Sequence, residues 1–510
     1  MRRNLLICFF VALISSFSMM PSTVSAAYKL ELPSEDCGWI KVESANFTVF
    51  SNADEKIARK TAVGLEYLRT VLVRHHEGVP SVSPVPTYVF VFDFFSDAYP
   101  PYGPFSKGKP GRSGGYFINR PLANYVAIVE RDYRFPDQMG ILHDYLHSVL
   151  NASGPELPLW LEEGLAEYYS VFHIKDGKAH IGYRVNRHMA WLRNKTLMPL
   201  AELLAVDKNS PVYNEEDRTG IFFAESWLLT HMLLTERPDG RAQTALYSEL
   251  LREGYDRDRA FTEAFNTTYE DLEADLKKYV RTRSHHYTVL PLKPSAFDSI
   301  KVSQMLRTEV LFRLGDLLSS GRSERLDFAA EHFEAALVLD GGYGPAVAGL
   351  GSLDEATGRR EAARALYERA AKFSPDDYRI NLLLGRSLSD WFEGEASRES
   401  RTTQLERARV LLRRATELRP GRIEAWAELG ATYLADTQNT DPGIDALEHA
   451  MEIQPKHPGV GTNLTALYVD RGLAMKAESV IARQEAAGVD EETLRRAQEI
   501  AAEPNPVPGD

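Results

Sequence analysis

The sequence has almost no cysteine, and this limits how the chain can be stabilised. Only two of the 510 residues are cysteine. Cys8 lies in an apolar N-terminal segment that we expect to be removed, which leaves Cys37 alone. A single cysteine forms no disulfide within the chain, so we expect the domains to be held by hydrophobic cores.

Long basic runs and phosphate-binding loops are also lacking. The formal net charge is −13, and without a basic stripe this argues against nucleic acid as a partner. The glycines between residues 103 and 115 are not followed by Lys-Ser or Lys-Thr, so they do not predict a phosphate site. Hydrophobic residues make up 44% of the chain and charged residues 26%, which is typical of globular domains.

The N-terminus has the pattern of a secretory signal peptide. Met1-Arg2-Arg3 supplies positive charge, an apolar stretch runs from Leu5 to Met20, and small residues follow at Val24-Ser25-Ala26. We therefore predict a signal peptide at residues 1–26 and an exported protein, periplasmic or extracellular. The alternative is a permanent membrane anchor. Beyond this segment no stretch reaches the ~18 apolar residues of a spanning helix, so no span is expected after cleavage.

Residues 27–282 are predicted to form one α+β domain, with a small sheet first and helices after it. A long amphipathic helix is expected at residues 53–73 between strands, and helices dominate from residue 138 to 282. The predicted strands lie at residues 39–42, 47–50, 88–92, 115–118 and 125–129.

The C-terminal half is predicted to be an all-α solenoid of helical hairpins. A linker at residues 283–304 leads into repeats at 305–484, and 485–510 are expected to be a helix end and a disordered tail. The repeats resemble tetratricopeptide repeats, the alternative being generic Ala-rich hairpins. Such solenoids bind protein segments, so we expect a protein or peptide partner. The best unit contains Leu350-Gly351, Gly358, Ala363, Tyr367, Ala370 and Pro375.

Two histidines four residues apart suggest a metal site. His143 and His147 lie in a helical stretch, where residues i and i+4 share one face and their imidazoles can reach one ion. Such a pair alone is weak evidence. After a short loop, however, the chain continues Leu159-Trp160-Leu161-Glu162-Glu163-Gly164-Leu165-Ala166-Glu167-Tyr168.

The two segments together resemble the gluzincin metallopeptidases of the peptidase-MA-like group. The resemblance implies a Zn²⁺ ion held by His143, His147 and Glu163, with Glu162 as the competing third ligand. Two histidines and one carboxylate leave a fourth position open, which is the catalytic arrangement of zinc. The resemblance also implies that Glu167 accepts the ring N–H of His143. The remaining histidines, among them His75, His76, His173, His180 and His188, are predicted to be surface or structural residues.

Two residues depart from the family pattern. The family has Glu after the first histidine as the general base, and this chain has Asp144, whose carboxylate is one methylene shorter. A misplacement near 1 Å costs on the order of a hundredfold in rate. Phe223 stands where the family implies a tyrosine, and phenylalanine cannot donate a hydrogen bond to an oxyanion. Tyr213, His231 and Tyr168 are the candidates to replace it.

These observations leave three hypotheses. The first is an exported zinc metallopeptidase with Asp144 as its base and a repeat domain that binds protein. The alternative is a weak or inactive zinc-site protein that acts as a binding or assembly factor through its repeats. In the third, no metal binds and the histidines are merely packed.

Overall fold

A computed structural model describes most of the chain. The predicted signal peptide at 1–26 and the last part of the predicted tail, 503–510, lie outside the described residues. The described ranges are 32–35, 38–76, 79–93, 102–103, 105–106, 109–110, 115–130, 139–153, 157–213, 220–292, 300–321, 325–390, 398–434 and 439–502.

A six-stranded mixed sheet forms the centre of the N-terminal part. Its strands, in spatial order, are β11 (Lys301–Gln304), β1 (Ile40–Glu43), β2 (Phe47–Ser51), β3 (Thr87–Asp93), β7 (Asn124–Glu130) and β6 (Gly115–Asn119). Helix α1 (Glu55–His75) connects two parallel neighbours, β2 and β3, and β7 continues the parallel pairing. The outer pairs β1–β2, β1–β11 and β6–β7 are antiparallel.

Both faces of this sheet are buried, which explains the continuous apolar sequence of β3. Val89 and Val91 point into a core shared with α1 and the helices that follow the sheet. Phe90 and Phe92 point to the opposite side, into a second core shared with the C-terminal helices. The sheet therefore joins the two halves of the protein.

Helices and two small β-structures complete the N-terminal part. The helical stretch predicted for 138–282 is interrupted by strands β8 (His173–Lys175) and β9 (Lys178–Ile181), and β4 (Phe105–Ser106) pairs with β5 (Lys109–Pro110). No helix in the described part of the chain has the length and apolar character to cross a membrane. The helices are α2 (Met139–Ser153), α3 (Leu159–Ser170), α4 (Asn186–Asn194), α5 (Leu200–Ala205), α6 (Ile221–Thr235), α7 (Gly240–Arg252), α8 (Arg257–Phe265) and α9 (Tyr269–Arg281).

The segment predicted as a linker, 283–304, contributes two strands instead of running free. Strand β10 (Thr288–Pro291) pairs with β9, and β11 pairs with β1. Both partners lie far away in the sequence, and each strand has four residues. Such short segments carry too little periodicity to be predicted as strands.

The C-terminal half is an array of antiparallel helical hairpins, as expected. The two helices of each hairpin pack against each other, and the first helices of successive hairpins also touch. This places the first helices on the inner face of the array. The helices are α10 (Arg307–Ser319), α11 (Leu326–Leu339), α12 (Gly344–Ala356), α13 (Arg360–Phe373), α14 (Tyr378–Ser389), α15 (Arg398–Leu418), α16 (Ile423–Ala431), α17 (Asp441–Ile453), α18 (Pro458–Asp470), α19 (Ala474–Ala487) and α20 (Glu491–Ala502).

Glycine lets the two helices of a hairpin approach closely. A Cβ on Gly351 would lie 2.7 Å from the ring of Tyr367 on the second helix. The same position in a later hairpin is Gly430, where a Cβ would overlap the side chain of Leu447. A larger residue would push the two helices apart, so these positions set the distance between the two helices of a hairpin.

The inner face of the array contacts the N-terminal part over several hairpins. The Tyr125 hydroxyl on β7 donates to Asp316 on α10 (2.9 Å), and Arg379 on α14 pairs with the same carboxylate (2.5 Å). Arg422, which precedes α16, donates to the carbonyl of Ser83 (3.1 Å). Several hairpins of the array therefore pack directly against the N-terminal part.

Asp316 is predicted to be the most sensitive polar position of this interface. It is 1% exposed, so Asp316→Ala leaves the Arg379 guanidinium and the Tyr125 hydroxyl without their shared acceptor. We expect a loss of about 3 kcal/mol in the free energy of unfolding, measured by denaturant titration. Asp376→Ala is the control, because its pair with Arg414 is exposed and contributes about 1 kcal/mol or less. Equal losses in the two variants would contradict this account.

Candidate metal centre

Two adjacent helices supply the predicted ligands. Helix α2 carries His143 and His147 one turn apart, and α3 carries Glu163 in its second turn. Pro158 is the N-cap of α3, a position where the missing backbone N–H costs no helical hydrogen bond. The two helices pack against each other, so the three side chains converge.

Gly164 fixes how deeply α3 lies in the core. A Cβ at this position would overlap Thr230 Oγ1 and would lie 2.5 Å from the Ser226 carbonyl oxygen, both on α6. Only glycine allows this approach. The Glu-Gly pair of the sequence therefore has a physical basis, because the glycine next to Glu163 holds the carboxylate at a set depth against α2.

The three donor atoms form a nearly equilateral triangle. His143 Nε2 lies 3.1 Å from His147 Nε2, and Glu163 Oε2 lies 3.2 Å from the first nitrogen and 3.4 Å from the second. Two zinc bonds of about 2.0–2.2 Å at a tetrahedral angle put neighbouring donors about 3.3–3.5 Å apart. One edge of the triangle lies in this range and the other two are shorter by about 0.1–0.2 Å, and among the described residues these three are the group able to share a metal ion.

The two oxygens of Glu163 have different surroundings. Oε1 accepts a hydrogen bond from the Tyr213 hydroxyl (3.1 Å). Oε2 is buried and has no hydrogen-bond partner of acceptable geometry, although both histidine nitrogens lie near it. A buried carboxylate oxygen without a partner is costly, and a bound cation would remove this cost. The donor set therefore fits zinc.

The site is closed on one side and accessible on the other. His143 and Glu163 are each 3% exposed, whereas the side chain of His147 is 20% exposed. Three protein donors leave one tetrahedral position for a small ligand. We infer that this open position faces the solvent next to His147.

Glu162 holds the ring of His147. Its Oε1 lies 2.9 Å from His147 Nδ1, so Nδ1–H donates outward and Nε2 is turned toward the triangle. Burial lowers the pKa of His147, but Glu162 and Glu163 outweigh burial and raise it to about 9. Burial likewise raises the pKa of Glu163, but His143 and His147 outweigh it and hold this pKa well below its usual range. In the metal-free site the charged forms of His147 and Glu163 therefore stabilise each other.

Glu167 lies behind His143, but His143 Nδ1 has no hydrogen-bond partner of acceptable geometry, so the hydrogen bond that the family resemblance implies stays a prediction. Its Oε1 is 3.5 Å from His143 Nδ1. It also contacts two residues of α4, Arg187 and His188. Burial raises the pKa of Glu167, but the hydrogen bond from His188 and the neighbouring positive charges outweigh burial and lower it.

The residues considered for catalysis do not all lie at the donor triangle. Asp144 lies half-buried on α2, one residue after His143, and is not part of the donor triangle. Phe223 is buried and stacks on Tyr213, with ring centroids 5.9 Å apart. Of the three candidates to replace a tyrosine at 223, Tyr213 lies beside a ligand. The Tyr168 hydroxyl contacts Thr288, and both ring nitrogens of His231 are bonded elsewhere.

Sequence reasoning missed several residues of the site. His188 was predicted to be a surface or structural residue; it is buried and contacts Glu167 at 3.0 Å, a link that the sequence analysis did not foresee. Arg187 was not considered. Glu162 was considered as a ligand, whereas it orients one. For Glu162, its position beside Glu163 in the sequence was the signal that could have indicated its role. Helix α4 reaches the site through tertiary packing, which the spacing of residues in the sequence does not predict.

The metal-free protein is expected to lose stability as the pH rises from 6.5 to about 9. The pKa of His147 is raised above its unfolded value, so its charge stabilises the fold fully below the unfolded pKa and not above the folded one. The difference corresponds to about 3 kcal/mol. Denaturant unfolding with a chelator across this interval measures the loss, and His147→Gln is expected to abolish it. A variant that loses stability as steeply as the wild type would refute the assignment.

Comparisons with known proteins concern the fold only. No protein-family model and no curated protein matches this chain. Similar solved structures include YrrB, a TPR protein with an unusual peptide-binding site (21% identity, 37% of this chain and 90% of that chain, TM-score 0.31). The TPR protein TTC0263 from Thermus thermophilus (21%, 38% and 98%, 0.30) and the type IV pilus biogenesis factor PilW (16%, 38% and 84%, 0.32) are also similar. Such likeness assigns no activity or ligand.

Proposed function

We propose that this chain is an exported zinc-site protein that acts mainly by binding another protein through its helical array. The observation that supports a metal is the donor triangle of His143, His147 and Glu163, with the unpartnered Oε2 in it. Export rests on the sequence at 1–26. Protein binding rests on the hairpin array.

The proposed metal centre is assigned weak or no peptidase activity. Zinc, when bound, would polarise a substrate carbonyl and lower the pKa of a water molecule. The proton must then pass to a carboxylate, and Asp144 offers one that is a methylene shorter than the family's glutamate. Tyr213, the candidate for the missing hydroxyl that lies beside the donor triangle, already donates to Glu163. A hydroxyl committed to a ligand is a poor donor to an oxyanion.

A peptidase is the second candidate, and the accessible side of the site favours it. A structural zinc is usually enclosed by four protein ligands, whereas this triangle supplies three and is exposed next to His147. The open position is what a hydrolase needs. Under this hypothesis Asp144 is the general base despite its length.

The covered part of the array limits where a protein partner binds. The inner face near α10 and α14 holds Tyr125 of the sheet through Asp316. Near α16 it holds the loop at Ser83. We therefore place the partner on surfaces of the array that the N-terminal part does not cover.

Zinc content tests the metal directly. We expect the purified protein to carry about one zinc per chain, and His143→Ala and Glu163→Gln to lose most of it. His180→Ala is the matched control, since His180 contacts Tyr183 and not the triangle. Inductively coupled plasma mass spectrometry gives the ratio. A wild-type protein purified from zinc-containing medium without zinc would sink the proposal and leave packed histidines as its replacement.

Peptide turnover separates the two candidate functions. We expect hydrolysis of a peptide library by the wild type to be at or near background. Asp144→Glu is expected to raise it by up to about a hundredfold, because the base then reaches further. The double variant Asp144→Glu/His143→Ala is the control and should be inactive. Chelator-sensitive turnover in the wild type that Asp144→Glu does not increase would instead establish the peptidase candidate.

A further inference from the structure

Behind His143 the structure places a chain of polar side chains, buried at Glu167 and His188, that continues into α4. His188 Nε2 lies 3.0 Å from Glu167 Oε2, and Arg187 Nη2 lies 3.2 Å from both oxygens of the same carboxylate. Glu167 Oε1 in turn faces His143 Nδ1 at 3.5 Å. Side chains on α3 and α4 are thus connected to one proposed ligand on α2.

Burial makes the partners of Glu167 necessary. Glu167 is 2% exposed and His188 1% exposed. A buried carboxylate without hydrogen-bond donors is strongly destabilised, and it would turn toward whichever donor remains. His188 and Arg187 occupy Oε2 and brace both oxygens, so Oε1 stays directed toward His143.

Helix α4 itself is firmly held, which makes it a suitable support. Met189 and Leu192 are buried in the main core, and α4 packs against α6 and α9. The ring of His188 packs on Trp227 of α6, with centroids 5.8 Å apart. A donor on such an element has little freedom to move.

We propose that His188 and Arg187 are positioning residues of the metal centre, which act on His143 through Glu167. This inference rests on the proposed zinc site. With Nε2 of His143 directed at the triangle, Nδ1 carries the proton and needs an acceptor. Glu167 Oε1, 3.5 Å away, is the carboxylate oxygen placed to accept it, and α4 holds Glu167 in place. The imidazole is thereby fixed in the tautomer and orientation that a metal requires.

A double-mutant cycle on zinc affinity tests this chain of contacts. We expect His188→Leu and Glu167→Ala each to weaken zinc binding by about tenfold or more. Because His188 acts through Glu167, the double variant should bind zinc within about threefold of Glu167→Ala. His188→Gln should stay within about threefold of the wild type, since its amide N–H can donate to Glu167. Competition with a chromogenic chelator measures the dissociation constants.

The controls separate positioning from general stability. His332→Gln changes another buried histidine, which lies on α11 of the array and contacts Tyr102 of the N-terminal part. This variant should leave zinc affinity and the spectrum of the cobalt-substituted protein unchanged. His188→Leu should alter that spectrum. If His188→Leu does not fold, Arg187→Ala at a half-exposed side chain decides, with a severalfold weakening expected.

Two results would overturn the inference. One is wild-type zinc affinity in His188→Leu, or in Arg187→Ala where that variant decides. The other is a double variant whose loss is the product of the two single losses, because independent effects multiply. A wild-type protein that binds no zinc would remove the metal centre itself, and that outcome is distinct from both.

Discussion

Three polar donor atoms, two of them on buried side chains, lie within 3.4 Å of one another, and the neighbouring residues of the N-terminal part are arranged around them. His143 Nε2, His147 Nε2 and Glu163 Oε2 cannot all satisfy each other, and Oε2 has no hydrogen-bond partner. Proteins rarely leave such a group in place without a use. Each neighbour supports the arrangement: Glu162 and Glu167 face the outer nitrogens, Tyr213 holds the other oxygen, and Gly164 lets α3 lie deep enough.

The sheet connects the helices that carry the donor triangle to the second half of the protein. Its valines pack toward the helices of the metal centre and its phenylalanines toward the array. The hairpins in turn fold around the sheet through Asp316, Arg379 and Arg422. The sheet is therefore the element that the array and helix α2 share as a packing surface.

The sequence predicted what depends on local spacing and missed what depends on distant pairing. His143 and His147 were predictable because one helical turn puts them on one face, and the helical hairpins because each repeat is one helix-turn-helix unit. The strands β10 and β11 were not predictable, since their partners lie more than a hundred residues away. His188 was missed because α4 reaches Glu167 only after the whole domain has packed. The base at Asp144 is readable as a residue, but its reach depends on where a substrate lies.

X-ray absorption spectroscopy at the zinc edge of the purified protein tests the central claim most directly. The account predicts a four-coordinate ion with light ligands at about 2.0–2.2 Å and the scattering pattern of two imidazoles. The pattern should fall to one imidazole or disappear in His147→Ala. A spectrum with sulfur ligands, with no imidazole contribution, or with zinc coordination unchanged in His147→Ala would contradict it.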